Sequence, residues 1–163
     1  MSMILASTVR NKYINFYAVR FFFFAAAVLL NLLVYYDLFF DNSFFHLLVE
    51  NLFGTVCHQQ DEKLLSFAGI TTIVCSRCSG IYTGFLISTI YSLIAYKKKI
   101  TGSLKIVYFA SLPMLLDVIS VQVGLYYYSS TSAFITGFLF GFFLYLFFIE
   151  NLQHYMGNDI EQI

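Results

Sequence analysis

The chain has 163 residues, of which 60% are hydrophobic and 20% aromatic, while only 11% are charged. Soluble domains carry about 25% charged residues, so this composition excludes an ordinary water-soluble fold and predicts a membrane protein. Nine basic residues balance nine acidic ones, which excludes the basic surface that nucleic-acid binding requires.

Four hydrophobic segments predict four membrane-spanning helices, because a bilayer needs about 20 apolar residues per helix. The predicted spans are residues 20–40, 78–96, 104–128 and 132–149. The first segment begins too far along the chain, and is too long, to be the apolar region of a secretory signal peptide. We therefore expect an all-α, polytopic membrane protein with a single transmembrane domain over residues 20–149, folded as a four-helix bundle.

Basic residues are distributed unevenly among the connections. Seven lie before the first span or between the second and third spans: Arg10, Lys12, Arg20, Lys97, Lys98, Lys99 and Lys105. The other two, Lys63 and Arg77, lie between the first and second spans. Basic loops remain cytoplasmic, which predicts a multi-pass protein of the cell membrane. Its N-terminal segment 1–19 and its tail 150–163 are expected in the cytoplasm, and the loop 41–77 on the outer side.

The outer loop contains a segment with helical periodicity, "FFHLLVENLF". One face of this segment is apolar, and it comprises Phe45, Leu48, Val49 and Leu52. We expect a short amphipathic helix that lies in the outer membrane interface.

Small residues recur every four positions in the second and fourth spans. They are Gly80, Gly84 and Ser88 in one span, and Gly137 and Gly141 in the other. This spacing lets helix backbones approach closely within a membrane. We expect both spans to pack tightly, against each other or against another neighbour.

All three cysteines lie in one short region, with Cys57 in the outer loop and Cys75 and Cys78 at the start of the second span. Together with His58 they form a set of three thiols and one imidazole, which is a recognised tetrahedral zinc combination. Because adjacent Cys57 and His58 cannot easily bind the same ion, one of them is expected to orient the other ligands instead. The predicted cofactor is a zinc or iron ion.

The C-x-x-C pair is also compatible with a redox dithiol, a disulfide or inert cysteines. Arg77 lies between the two thiols, and a helix begins nearby, so a thiolate is favoured there. That preference serves metal binding and thiol exchange equally.

Asp117 lies inside the third predicted span. An aspartate at membrane depth costs about 2.5–3.5 kcal/mol on insertion scales and is by default a functional candidate. The alternative is a carboxyl group satisfied by neighbouring hydroxyls within the bundle. Gln122 lies further along the same span, at the level where the second span begins, and we expect both residues to border a cavity.

Several motifs together resemble the bacterial and archaeal membrane proteins of domain-of-unknown-function family 2085. These motifs are "CHQ" at Cys57–Gln59, "CSRCSGIYTG" at Cys75–Gly84, the set Pro113, Asp117 and Gln122, and "TGFLFG" at Thr136–Gly141. The resemblance implies a small polytopic membrane protein with the Cys57, His58, Gln59, Cys75, Arg77, Cys78, Asp117 and Gln122 side chains in one site. This chain departs from the pattern where relatives carry arginine after "CHQ" and before "TG". The resemblance does not supply a reaction.

The leading functional hypothesis is a metal-binding membrane protein, and beyond that a small membrane metalloenzyme acting on a lipid or hydrophobic substrate. In that hypothesis Asp117 accepts a proton or orients the metal site, Arg77 contacts an anion, and Gln122 lines the cavity. One alternative is a thiol–disulfide redox protein that uses Cys75 and Cys78, with Cys57 as resolving thiol. Another is a non-catalytic structural or transport subunit. The lipid bilayer is the expected partner, and a homo-oligomer remains open.

Overall fold

The computed structural model describes residues 2–36, 43–57, 63–67, 70–95 and 104–158. Five helices and one β-hairpin make up this part of the chain. In chain order they are α1 (Ser2–Val34), α2 (Ser43–Gly54), β1 (Leu64–Phe67), β2 (Ile70–Cys75), α3 (Ser76–Ile94), α4 (Leu104–Gln122) and α5 (Ser130–Asn158). The end of the first predicted span at residues 37–40 and the basic connection at Lys97–Lys99 lie outside the described residues.

Three helices are long and apolar enough to cross a membrane, at Tyr17–Val34, Leu104–Gln122 and Ser130–Tyr155. The second predicted span corresponds to α3, which is not among the three found in the described chain. The reason is its buried face, which consists of small and hydroxyl-bearing residues: Ser76, Ser79, Gly80, Gly84, Ser88, Thr89 and Ser92. This face lowers the hydropathy of α3 but suits a helix that is covered by its neighbours.

The glycines of α3 and α5 form one continuous contact between the two helices. A Cβ atom at Gly80 or Gly84 would collide with the carbonyl group of Phe134 or Phe138 on α5. The same holds for the glycines of α5. A Cβ atom at Gly137 would collide with the backbone of Arg77 on α3, and one at Gly141 would collide with the backbone of Ile81. The close approach expected from the sequence is therefore confirmed, and these two helices pack against each other. Because the contacts advance in the same direction along both helices, α3 and α5 are parallel.

Helix α1 runs antiparallel to α3, since its later residues contact the start of α3. The Asn31 side-chain amide donates to the carbonyl of Tyr82 at 3.0 Å, and the Arg20 guanidinium donates to the carbonyl of Ser92 at 2.7 Å. Arg20 was counted among the cytoplasmic charges, and it is fully buried. It lies against the C-terminal turn of α3, where a cation interacts favourably with the helix dipole.

Helix α4 ends earlier than the predicted boundary at residue 128. The amide of Gly124 donates to the carbonyl of Val121 at 3.2 Å, and the amide of Leu125 donates to that of Ser120 at 2.9 Å. Gly124 has φ 75°, the left-handed conformation of a Schellman motif, which glycine adopts without steric cost. The chain then turns back into α5, so α4 and α5 are antiparallel. One end of the bundle therefore combines the C-termini of α1 and α4 with the N-termini of α3 and α5.

The β-hairpin corrects the purely all-α prediction. Strand β2 reads "ITTIVC", a run of β-branched residues that favours extended structure. It pairs antiparallel with β1, with Leu64 opposite Cys75 and Phe67 opposite Ile70. At an irregularity in the register, the amide of Leu65 donates to the hydroxyl of buried Thr72 at 3.2 Å. The hairpin leads directly into α3 and so fixes where that helix begins.

Helix α2 confirms the helical part of the prediction for the first loop. Val49 and Phe53 are buried in a core cluster with the end of α1 and with β2. Leu48 and Leu52 point outward and are 45% and 60% exposed. An apolar surface therefore remains on the outside of this helix.

Candidate metal centre

Two separate chain segments bring the three cysteines together. Cys57 follows α2 in a tight turn, in which its amide donates to the carbonyl of Phe53 at 2.8 Å. Cys75 is the last residue of β2, and Cys78 lies in the first turn of α3. The three sulfur atoms all lie within 4.8 Å of one another. The amide of Cys75 donates to the Cys57 sulfur at 3.2 Å, which holds the two segments in register.

This spacing suits a metal ion. An ion about 2.3 Å from each sulfur in a tetrahedral arrangement would place the sulfurs about 3.8 Å apart. The observed separations reach that value with side-chain shifts of about 1 Å, and no disulfide joins the cysteines. Thiolates are ligands for zinc, iron and copper(I). His58, the predicted fourth ligand, lies outside the described residues, as does Gln59.

The surroundings of the thiols are apolar. Cys57 is 4% exposed and belongs to the cluster of Val34, Val49, Phe53, Ile73 and Val74, against which Cys75, Cys78 and Tyr82 also pack. The hydrogen bond to the Cys57 thiol, together with burial, raises the pKa of Cys75 above its ordinary value. At neutral pH this thiol therefore keeps its proton until a cation replaces it.

Cys75 occupies the N-cap position of α3, with φ −60° and ψ 155°, but makes no capping hydrogen bond through its side chain. Its sulfur faces the other thiols instead. The N-terminus of a helix carries a partial positive charge of about half an elementary unit, which favours thiolates and other anions. At Cys75 the hydrogen bond to the Cys57 thiol and burial outweigh this contribution, because the pKa of the thiol is raised.

Beside the thiols lies an ion pair between α3 and α4. The Arg77 guanidinium donates to a carboxylate oxygen of Asp117 at 2.5 Å, and the two side chains are 20% and 4% exposed. The hydroxyls of Tyr126 and Ser132 donate to the other carboxylate oxygen. The structure thus pairs Arg77 with Asp117, and the surrounding hydroxyls satisfy the carboxylate. Gln122 is exposed in the last turn of α4.

Three residues of this region were not predicted from the sequence to take part in the site. Tyr126 and Ser132 complete the shell of Asp117, and Tyr128 donates from its hydroxyl to the carbonyl of Lys63 at 3.3 Å. The Ser76 hydroxyl donates to the same carbonyl at 3.1 Å. The hydrogen bond from Tyr128 thereby links the connection between α4 and α5 to the start of the hairpin. The run of three tyrosines after Gly124 was the signal for this, since buried tyrosine hydroxyls need polar partners.

A known protein family matches the part of the chain that contains the thiol cluster and the ion pair. The sequence model of a family described as "Predicted membrane protein (DUF2085)" matches residues 57–147. That stretch begins at Cys57 and includes the hairpin, α3, α4 and most of α5. It contains every described residue of the thiol cluster and of the ion pair.

Two archaeal proteins are similar to this chain. The uncharacterized protein MJ1492 of Methanocaldococcus jannaschii is 31% identical over 105 residues, which are 61% of this chain and 65% of that protein. An uncharacterized protein of Methanothermobacter thermautotrophicus is 29% identical over 72 residues, covering 44% of this chain and 65% of its own length. The chain thus spans less than two thirds of either relative. No solved structure matches.

Proposed function

Because the chain belongs to the DUF2085 family of predicted membrane proteins, we propose that it is a multi-pass membrane protein that binds a zinc or iron ion through Cys57, Cys75 and Cys78. One observation carries the proposal: three sulfurs from two separate segments converge within 4.8 Å. The closeness of Cys57 to the C-x-x-C pair depends on the hairpin and on the turn after α2. His58 is the proposed fourth ligand, or the group that orients the others.

The proposed membrane arrangement has four spans, with α3 enclosed by α1 and α5. Burial of its serines and glycines supports this placement, because those residues then avoid lipid. The hydroxyls of Ser88 and Thr89 donate to carbonyls of their own helix at 3.0 Å and 2.7 Å, which reduces the cost of burying them. The positive-inside rule would place both termini in the cytoplasm and the thiol cluster on the outer side.

Helix α2 is proposed to lie in the outer interface. Its outward side exposes large apolar side chains over a shallow groove lined by Phe44, Leu47, Leu48, Asn51 and Leu52. Helices with one apolar and one polar side bind in this way at the boundary between head groups and acyl chains. A lipid or another hydrophobic substrate would thus be close to the thiol cluster.

At this site a bound metal would supply Lewis acidity toward such a substrate. The cysteines hold the ion, and the apolar cluster around them excludes water. Arg77 retains partial exposure and is proposed to contact an anionic group of the substrate. Asp117 positions that guanidinium through the ion pair, and Gln122 is proposed to line the approach from solvent.

Metal content of the purified chain tests the proposal. The full-length protein in detergent, kept reduced, is expected to contain one zinc or iron ion per chain by elemental analysis. Serine substitution at Cys57, Cys75 or Cys78 should abolish the stoichiometric ion. His154→Ala is the matched control for His58→Ala, and only the latter should reduce metal content. Absence of stoichiometric zinc or iron, together with a Cys75–Cys78 disulfide, would contradict the proposal.

The position of the C-x-x-C pair favours a second candidate, a thiol–disulfide exchange protein. Cys75 and Cys78 occupy the N-cap and first turn of α3, and Cys57 is close enough to resolve a mixed disulfide. Single serine substitutions separate the two candidates. An exchange protein would accumulate mixed disulfides when the resolving thiol is removed, whereas a metal site would lose its ion and trap nothing.

A further inference from the structure

We infer that the three-thiol cluster binds trivalent, thiophilic metalloids of the arsenite type as a neutral three-sulfur adduct. This inference rests on the proposed function in one respect, that the three sulfurs act together as ligands. It goes further by naming the charge and the coordination number of the preferred ligand. The observations that carry it are the number of the sulfurs, their spacing and the apolar wall around them.

Charge is the first argument. Three thiolates leave a net charge of minus one around a divalent ion and no charge around a trivalent one. The described core beside Cys57 consists of valine, isoleucine and phenylalanine side chains. Burying an uncompensated charge in such surroundings is unfavourable. A neutral adduct avoids this cost.

Two positive groups near the thiols compensate a negative complex only in part. Arg77 follows Cys75 closely in sequence, but its guanidinium is engaged by Asp117 at 2.5 Å. The N-terminus of α3 supplies about half an elementary charge. A divalent complex would therefore retain part of its negative charge beside the apolar cluster, which favours the trivalent ligand.

Coordination is the second argument. Zinc in structural sites takes four ligands in a tetrahedron, whereas trivalent arsenic is pyramidal with three ligands and a lone pair. The structure gathers three sulfurs from Cys57, Cys75 and Cys78. These are sufficient for arsenic, and soft thiolates are the ligands that soft ions prefer. Arsenite binding is thus expected to be independent of His58.

The reaction balances without an oxidant or a reductant. Arsenous acid, As(OH)₃, reacts with three thiols to give one As(SR)₃ adduct and three water molecules. Three As–O bonds and three S–H bonds break, while three As–S bonds and three O–H bonds form. Arsenic remains trivalent throughout, and each thiol proton leaves in a water molecule.

Titration of the reduced, full-length protein in detergent with sodium arsenite tests the inference. We expect one arsenic per chain by mass spectrometry, and loss of all three titratable thiols at equimolar arsenite. Phenylarsine oxide, which accepts only two sulfurs, should leave one thiol titratable. Serine or alanine at Cys57 should weaken arsenite binding at least tenfold, with helix content by circular dichroism as the check on folding. His58→Ala should leave arsenite binding unchanged.

The outcomes separate this inference from the proposed function. Stoichiometric zinc or iron together with arsenite that consumes two thiols or fewer would overturn the inference and leave the proposed function standing. Three thiols consumed by arsenite, without zinc or iron binding, would uphold the inference and overturn the proposed function. Failure of both ligands to bind the reduced protein would overturn both.

Discussion

Replacing Asp117 with asparagine removes the negative charge of the buried ion pair but keeps the size of the side chain. The carboxamide oxygen can still accept hydrogen bonds from Tyr126 and Ser132. Arg77 loses its counter-charge while only 20% of its side chain is exposed. Removing one partner of a buried pair costs about 3–5 kcal/mol. Because Arg77 keeps some contact with solvent, we expect the low end, about 3 kcal/mol.

The measurement is reversible unfolding in mixed detergent micelles, followed by far-ultraviolet circular dichroism because the chain contains no tryptophan. Glu50→Gln is the matched control, since Glu50 pairs with His46 at 3.7 Å and both side chains are largely exposed, at 48% and 44%. Such exposed pairs contribute about 1 kcal/mol or less.

The double variant Arg77→Gln with Asp117→Asn completes the cycle. It should be more stable than the sum of the two single effects predicts, because neither buried charge then lacks its partner. If Asp117→Asn costs no more than Glu50→Gln, or if the two single effects simply add, the ion pair does not hold α3 and α4 together in the way described.

Four further outcomes are expected. Gly141→Ala should destabilise the bundle strongly, because its Cβ would collide with the backbone of α3, as the same unfolding assay would show. Gly124→Ala tests a glycine that is required by backbone conformation and not by close packing. The added Cβ would meet nothing within 4 Å, so the φ of 75° is the source of the expected destabilisation, which is about 1 kcal/mol. Arg20→Gln should cost about 1–2 kcal/mol through the weakened contact with the C-terminus of α3, measured by the same unfolding assay. Zinc affinity should fall as pH falls, because the raised pKa of Cys75 keeps its proton in competition with the metal, as titration at several pH values would record.

Spacing predicted that α3 and α5 would each pack closely, against each other or against another neighbour. Glycines four residues apart on two apolar segments indicate close packing, and the structure places them against each other. The proximity of Cys75 to Cys78 also follows directly from a C-x-x-C at the start of a helix. Both features depend on the spacing of residues that are close in sequence, so they can be predicted without knowing which distant residues are in contact.

Other features depend on long-range contacts that periodicity does not report. Thr72 and its neighbours formed a strand signal that was overlooked within a loop for which only one short helix was expected. Ser132 and Tyr126 reach Asp117 only because α4 ends at Gly124 and the chain turns back there. A one-dimensional hydropathy pattern extends α4 through this glycine, and thus misplaced the tyrosines.

The burial of Arg20 illustrates the same limit. As an N-terminal basic residue before an apolar run, it was counted with the cytoplasmic charges. In the structure its guanidinium donates to the carbonyl of Ser92 near the end of α3. Only the antiparallel pairing of α1 with α3 brings these residues together.

The polar, glycine-lined face of α3 has a consequence for the order of assembly during synthesis. This helix depends on backbone contact with α5, and the ribosome completes α5 after α1, α3 and α4. A nascent chain that ends before Ser130 therefore lacks the surface that encloses α3. The last helix to emerge therefore completes the contact that buries this face of α3.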